Sequence, residues 1–146
     1  MSMRFEVIQA AQFSDVLAVV KTALFDYIDK VFGWDDGFQQ TRLINDYEPH
    51  WYRWVYEGKR RIGLVCFKYK EGALHLHLMI IFPEYQGKGL GSQVMDYLRH
   101  AAIENACHEI SLSSFMLNQG ALRFYQGLGY QVVNEEEHFY MMALTL

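Results

Sequence analysis

The sequence predicts an α+β fold, a three-layer α/β arrangement with helices on both faces of a mixed, mostly antiparallel sheet of seven strands. Three observations lead there. The hydrophobic periodicities follow one another in the order βααβββαβαββ, glycine rather than proline punctuates them, and a single strand–helix–strand crossover interrupts strands joined by tight turns. With 146 residues, of which 51% are apolar and 21% charged, the chain can close one well-filled core, so a single domain over residues 1–146 is expected. So apolar a balance, with only two prolines, excludes a disordered or collagen-like chain.

Arg4 to Gln9 alternates as a first strand. Ser14 is placed as the N-cap of a helix whose apolar positions, Phe13, Val16, Leu17, Val20, Leu24, Tyr27, Ile28 and Val31, recur at helical spacing and form one buried stripe. Gly33 closes that helix, and Trp34, Asp35 and Asp36 lead into a shorter one through Phe38, Leu43 and Ile44. Pro49 ends the helical pattern. Trp51 to Glu57 and Arg61 to Tyr69, rich in β-branched and aromatic residues, read as a hairpin turning at Gly58 and Lys59. Lys70, Glu71 and Gly72 turn the chain into Ala73 to Phe82, an apolar strand interrupted on one face by His75 and His77. After Pro83, the run Gln86-Gly87-Lys88-Gly89-Leu90-Gly91 opens a helix with Leu90, Val94, Leu98, Ala101 and Ala102 on one side. Glu109 to Ser113 is the fifth strand and Asn118 to Leu128 a helix ended by Gly129. Tyr130 to Val133 and His138 to Leu144 complete the sheet.

Thirteen Lys and Arg against seventeen Asp and Glu give a net charge of −4, which disfavours a nucleic-acid backbone as the main partner. Cys66 and Cys107 lie far apart in apolar, strand-like contexts and read as small core residues, with neither a disulfide framework nor a metal-ligand spacing. The N-terminus, Met1-Ser2-Met3-Arg4-Phe5-Glu6, has no leader-like apolar stretch, and Leu78 to Phe82 is too short to span a bilayer. A cytoplasmic protein with no membrane partner is expected.

Three glycines in five residues, entering a helix from a strand, let backbone N–H groups converge on an anion at the positive end of the helix dipole. Lys88 and the amide of Gln86 can extend such a site, and a pyrophosphate would suit it. A Walker A loop fails, because Lys88 lies between glycines with Ser92 four positions on. A dinucleotide fingerprint fits poorly, because the interval from Gly89 to Gly91 is too short and the loop follows a hairpin. A plain tight turn is the remaining reading of the glycines taken alone.

The run from Gln86 to Gly91 resembles the Q/R-x-x-G-x-G/A motif of the GNAT superfamily of acetyl-CoA dependent N-acetyltransferases, with Pro83 and Tyr85 in its usual lead-in. Asn118, Ala121, Phe124, Tyr125, Gly129 and Tyr130 resemble the segment that follows the fifth strand in that superfamily. The resemblance covers Arg61 to Leu144, while the part before it matches in element order only.

This resemblance implies a GNAT-like fold whose fourth and fifth strands splay, with the pantetheine arm of acetyl-CoA along Met79, Ile80 and Ile81. The pyrophosphate would rest on Gln86, Gly87, Lys88, Gly89, Leu90, Gly91 and Ser92, and Asn118 would approach the pantetheine arm. It implies direct attack of a primary amine on the thioester, with Tyr125 as the general acid for the thiolate. The superfamily's usual strand carboxylate is missing from Ala73 to Phe82. His77 or His75, two apart on one strand face, would accept the amine proton through water, and a solvated strand face explains them equally. This His-x-His, with His75 eleven positions before Gln86, is similar to that of the arylalkylamine N-acetyltransferases.

Arg60, Arg61 and Arg123 could add to phosphate neutralisation. Trp34, Asp35, Asp36, Asp46, Glu48, Trp51 and Trp54 would border the acceptor cleft, an aromatic and acidic mixture suited to a cationic amine, though core packing and solvated loops account for them as well. The acceptor would be a small-molecule or peptide amine, no metal is needed, and a homodimer is expected by analogy alone. The competing readings are an acyl-CoA binding or sensing module without turnover and an acetyltransferase of protein N-termini.

Overall fold

The computed structural model describes residues 3–146; Met1 and Ser2, with which the reading of the N-terminus begins, lie outside the described residues. The strands are β1 (Met3–Val7), β2 (Tyr52–Glu57), β3 (Arg60–Lys70), β4 (Ala73–Ile81), β5 (Glu109–Phe115), β6 (Gln131–Glu135) and β7 (Phe139–Thr145). The helices are α1 (Phe13–Phe32), α2 (Asp36–Asn45), α3 (Leu90–Glu104) and α4 (Gln119–Gly127). Their order is the predicted one, and the strands form one seven-stranded sheet in the order β1-β2-β3-β4-β5-β7-β6. β4 and β5 run parallel, across the crossover through α3, and the pairs β1/β2, β2/β3, β5/β7 and β6/β7 are antiparallel. The fold is α+β, with a mixed sheet and four helices.

The chain divides into two compact units. The first holds the residues up to Cys66 together with Leu78–Leu90. Its core gathers Ile8, Val16 and Val20 of α1, Leu43 of α2, Tyr52 and Trp54 of β2, Leu64 and Cys66 of β3, and Ile80 of β4. The apolar stripe read from the sequence is the buried face of α1, whose Val16, Val20 and Ile28 are all buried. Gly33 ends α1 at φ +76°, a left-handed conformation that glycine adopts without a Cβ penalty, and its N–H reaches the carbonyl of Asp29 at 3.0 Å. Asp35 then caps α2 by accepting the N–H of Phe38 at 2.7 Å.

Ser14 is not the cap of α1. The helix starts one residue earlier, after the single 3-10 turn Ala10–Gln12, and Gln12 organises the entry. Its Oε1 accepts both the backbone N–H of Gln9 at 2.8 Å and the indole N–H of the buried Trp54 at 3.1 Å, a tertiary bond that local capping rules do not anticipate. The first strand also ends sooner than Gln9, at Val7.

The second unit holds Phe67–His77 and Gly91–Leu146. The parallel register sets Leu74 opposite Ile110, His75 opposite Ser111 and Leu76 opposite Leu112. Because side chains alternate along a strand, the four apolar residues share one buried face, whereas His75, His77 and Ser111 share the other, which is half-buried. Asn118 caps α4 by accepting the N–H of Ala121 at 3.0 Å, and Gly129 turns the chain at φ +98° beyond its end. Cys107 is not a core residue of a strand: it is half-buried in the loop after α3, its N–H bonded to the carbonyl of Ala102 at 2.9 Å. Cys66 is buried in β3, and the two cysteines form no disulfide. Among the described residues, no helix is long and apolar enough to cross a membrane.

Candidate functional site

The glycine loop lies in the first unit. β4 ends at Ile81, a 3-10 turn occupies Pro83–Tyr85, and the residues from Gln86 to Gly89 then stand exposed directly before the 15-residue helix α3. Gly87 and Gly89 adopt φ +76° and +77°, and a Cβ built on either would meet nothing within 4 Å. Packing therefore does not require these glycines; their backbone conformation does, and it leaves open space above N–H groups at a helix N-terminus. Such a backbone can receive an anion, and the residues present fit a diphosphate such as that of coenzyme A.

Gln86 does something more than expected. Its side-chain amide donates to the carbonyl of Ile81 at 2.9 Å, tying the start of the loop back to the end of β4 and leaving one amide N–H for an anion. Met79 and Ile81 are half-buried and Ile80 is buried in the core of this unit. Their backbone is held against β3 at very close range. A Cβ on Gly63 would lie 2.3 Å from the carbonyl oxygen of Ile80, and Phe82 N–H bonds to the carbonyl of Ile62 at 2.9 Å. Gly63 permits this close approach of β3 and β4, which sequence reading missed because a glycine inside a strand carries no mark of what lies beside it.

Lys88 stands over the Tyr85 ring, its Nζ 5.8 Å from the centroid, and the Arg60 guanidinium is at the same distance from that ring. Arg60 is also paired with Glu57 at 2.9 Å. Arg61 is stacked 4.2 Å from the Trp54 ring and bonded to the Tyr56 hydroxyl, and Arg123 is exposed on α4. Lys88 and Arg60 thus share the Tyr85 ring, while Arg61 is engaged with Trp54 and Tyr56.

In the second unit, His75 and His77 do face the same way, with ring centroids 4.7 Å apart in an edge-on arrangement. His75 Nδ1 is 2.7 Å from Ser111 Oγ. Burial, then the charges of Lys68 and Lys70, pull the His75 pKa below the ordinary imidazole value, so this ring is neutral at physiological pH. His77 Nε2 is shielded from solvent. Ser111 was not singled out from sequence, since only the parallel register brings it opposite His75.

Tyr125 is buried on α4, its ring 5.6 Å from that of Tyr130 and 5.1 Å from that of Phe124. Burial pushes its pKa up to about 12, and its hydroxyl makes no hydrogen bond among the described residues. Tyr130 is buried too, with a raised pKa and, among the described residues, no hydrogen-bond partner for its hydroxyl. Asn118 Oδ1 accepts the α4 cap bond, and the two hydrogens of its Nδ2 remain as donors for a ligand.

The acidic and aromatic residues of the first unit are largely engaged with one another. Asp36 accepts from the Trp34 indole at 2.6 Å and from Lys21 at 3.0 Å, and these two bonds hold its carboxyl below the usual range. Asp35 is a cap, Asp46 lies 3.9 Å from Arg42, and Glu48 pairs with His50. Trp54 is a core residue and Trp51 stands against Tyr47. Among the described residues no group of three or more His, Cys, Asp or Glu is arranged to hold a metal ion.

The mixed seven-stranded sheet, its fourth strand leading through a glycine loop into a helix, is the architecture of a known family. The model of the acetyltransferase (GNAT) family matches residues 18–130, and the chain belongs to that family. The chain is 31% identical over 78 residues to the thialysine N-epsilon-acetyltransferase of Bos taurus, covering 51% of this chain and 46% of the relative. It is 40% identical over 67 residues to the spermine/spermidine N(1)-acetyltransferase of Bacillus subtilis, covering 45% of this chain and 44% of the relative. These matches span about half the length of either relative. Among solved structures, the PaiA N-acetyltransferase of Thermoplasma acidophilum, determined in complex with coenzyme A, superposes with a TM-score of 0.76 over 100% of both chains at 13% identity, a likeness of fold.

Proposed function

We propose that this chain transfers the acetyl group of acetyl-CoA to an aliphatic primary amine. The observation that carries this reading is the pair Gly87 and Gly89, whose left-handed backbone and open Cβ space before α3 suit a diphosphate. Membership of the GNAT family supports it. The thioester supplies an activated acyl carbon: the amine nitrogen bonds to that carbon, the carbon–sulfur bond breaks, one amine proton is lost and a thiolate departs.

The backbone of residues 86–92 would hold the phosphates, with Lys88 as the added charge, and the edge of β4 at Met79–Ile81 would take the pantetheine amides. Asn118 Nδ2 would donate to the ligand. One of the two histidines would receive the amine proton through water. Tyr125, neutral because its pKa stands near 12, would donate a hydrogen bond to the departing sulfur. A thiol has a reference pKa of about 8.5, so complete proton transfer from this phenol would run uphill, and the hydrogen bond is its main contribution.

The relatives named for thialysine and for spermine and spermidine support a flexible alkylamine as the acceptor. A peptide α-amine is the second reading, favoured by 27% identity over 70 residues to the N-alpha-acetyltransferase MAK3 of Arabidopsis thaliana. A thiol-release assay with acetyl-CoA and a panel of polyamines, lysine analogues and short peptides tests both. Turnover with alkylamines is expected; tight acetyl-CoA binding without thiol release for any amine would leave a binding module instead.

A further inference from the structure

Two positive side chains from different elements of the first unit are gathered on one ring beside the glycine loop. Lys88 of the loop and Arg60, the first residue of β3, each place their charge 5.8 Å from the centroid of Tyr85. Tyr85 closes the 3-10 turn that precedes the loop, and the bond from Phe82 N–H to the Ile62 carbonyl brings the start of β3 alongside that turn. The Lys88 ammonium is thus drawn back to the lead-in of the loop, where Arg60 already stands.

Two cations on one ring repel each other, and 5.8 Å is near the outer limit at which a ring attracts a cation. The carboxylate at hand serves only one of them. Arg60 Nη2 donates to Glu57 Oε1 at 2.9 Å, and with the Glu57 side chain 14% exposed against 55% for Arg60, the bond anchors a guanidinium whose other donors face solvent. Among the described residues no carboxylate pairs with Lys88. Arg61, next along β3, is engaged with Trp54 and Tyr56, so Arg60 is the strand cation left for a ligand.

We propose that Arg60 and Lys88 together bind a phosphate monoester, the 3′-phosphate of the acyl donor, and so make this chain select acetyl-CoA over a donor that lacks that group. This rests on the acetyl-CoA reading above. The donor carries two kinds of anion. Its diphosphate suits backbone N–H groups at a helix N-terminus, which glycine leaves open to close approach. A phosphate monoester gathers a charge of about −1.5 to −2 on one phosphorus and is best met by side chains converging from several directions. The planar fork of Arg60 can take two of its oxygens while Lys88 adds a point charge, and the anion removes the repulsion between them.

Calorimetry with acetyl-CoA and with acetyl-3′-dephospho-CoA, at one fixed salt concentration, tests this without turnover. The parent should bind acetyl-CoA about tenfold tighter than the dephospho donor; that ratio should fall to about threefold in Arg60→Gln and in Lys88→Gln, and to about one in the double variant. Both side chains are exposed, so unfolding midpoints should stay at the parent value. Lys59→Gln, which removes an exposed charge next to Arg60, should keep the parent ratio. A parent that binds the two donors equally, a ratio unchanged in Arg60→Gln, or a ratio that falls as far in Lys59→Gln would each overturn the proposal and leave the acetyl-CoA reading standing. A parent that binds neither donor would overturn that reading itself.

Discussion

Replacing Gly63 by alanine puts a methyl group where the backbone of β4 already is. The added Cβ would sit 2.3 Å from the carbonyl oxygen of Ile80 and 3.3 Å from both the Ile80 carbonyl carbon and the Ile81 Cα. Carbon and oxygen in contact stay about 3.3 Å apart, so β3 and β4 must separate there by about 1 Å. Both sides of the clash are backbone, and no rotamer change relieves it. Overpacking of this kind costs about 1–3 kcal/mol, and stretching the adjacent bond from Phe82 N–H to the Ile62 carbonyl adds about 1 kcal/mol, which makes about 2–4 kcal/mol. With a urea m-value of about 2 kcal/mol/M, the unfolding midpoint of Gly63→Ala should fall by about 1–2 M. The displaced segment is the one proposed to take the pantetheine amides, so acetyl-CoA should also bind about tenfold more weakly under conditions where the variant is folded. An unfolding midpoint within about 0.2 M of the parent would refute the close strand approach itself.

Tyr125→Phe removes a hydroxyl with no hydrogen bond among the described residues, so stability should change by no more than about 0.5 kcal/mol, with kcat down about 100-fold and acetyl-CoA affinity unaltered; an unchanged kcat removes Tyr125 from the chemistry. Gly89→Ala should cost about 1–2 kcal/mol from the left-handed backbone alone, with no clash, and weaken acetyl-CoA binding measured by calorimetry; full affinity would mean that the loop holds no phosphate. Asn118→Ala should lose about 1 kcal/mol with the α4 cap, whereas Asn118→Asp keeps the cap and loses the Nδ2 donor, so only a raised acetyl-CoA Kd in the aspartate variant supports contact with the ligand. Burial raises the pKa of Tyr47, Tyr52, Tyr125 and Tyr130, so these favour the folded state below the unfolded value of about 10 and that stability is lost as pH rises through their folded values. An ultraviolet titration should show them ionising only as the chain unfolds; ten tyrosines ionising together near pH 10 with the fold intact would contradict their burial.

What could be read from sequence was local. The stripe from Val16 to Ile28, the left-handed stop at Gly33, the turn at Lys70 to Gly72 and the Asn118 to Gly129 helix unit each depend on neighbours within a few positions, and each is found in the structure. The glycine loop was legible for the same reason. Gln12, Gly63, Gln86 and Ser111 were not, at least in what they do. Gln12 answers an indole 42 residues away, Gly63 answers a strand folded back beside it, and Ser111 gains its meaning from a parallel register set across a helix. Gln86 lay within a recognised motif, yet nothing in the motif told of the inward bond of its amide to Ile81. Among the acidic and aromatic residues from Trp34 to Trp54, composition suggested a receptive cleft, while the structure engages Asp35, Asp36 and Trp54 in caps, bonds and core.

The bond from Gln86 to the Ile81 carbonyl fixes the span between the glycine loop and the end of β4, which would make the two a gauge of length for the donor proposed above. A donor whose headgroup and acyl terminus are separated by one particular length registers at both ends, and a truncated thioester can satisfy only one. On the proposed function, selection for the length of the carrier would then rest on this one glutamine, whatever the acceptor amine.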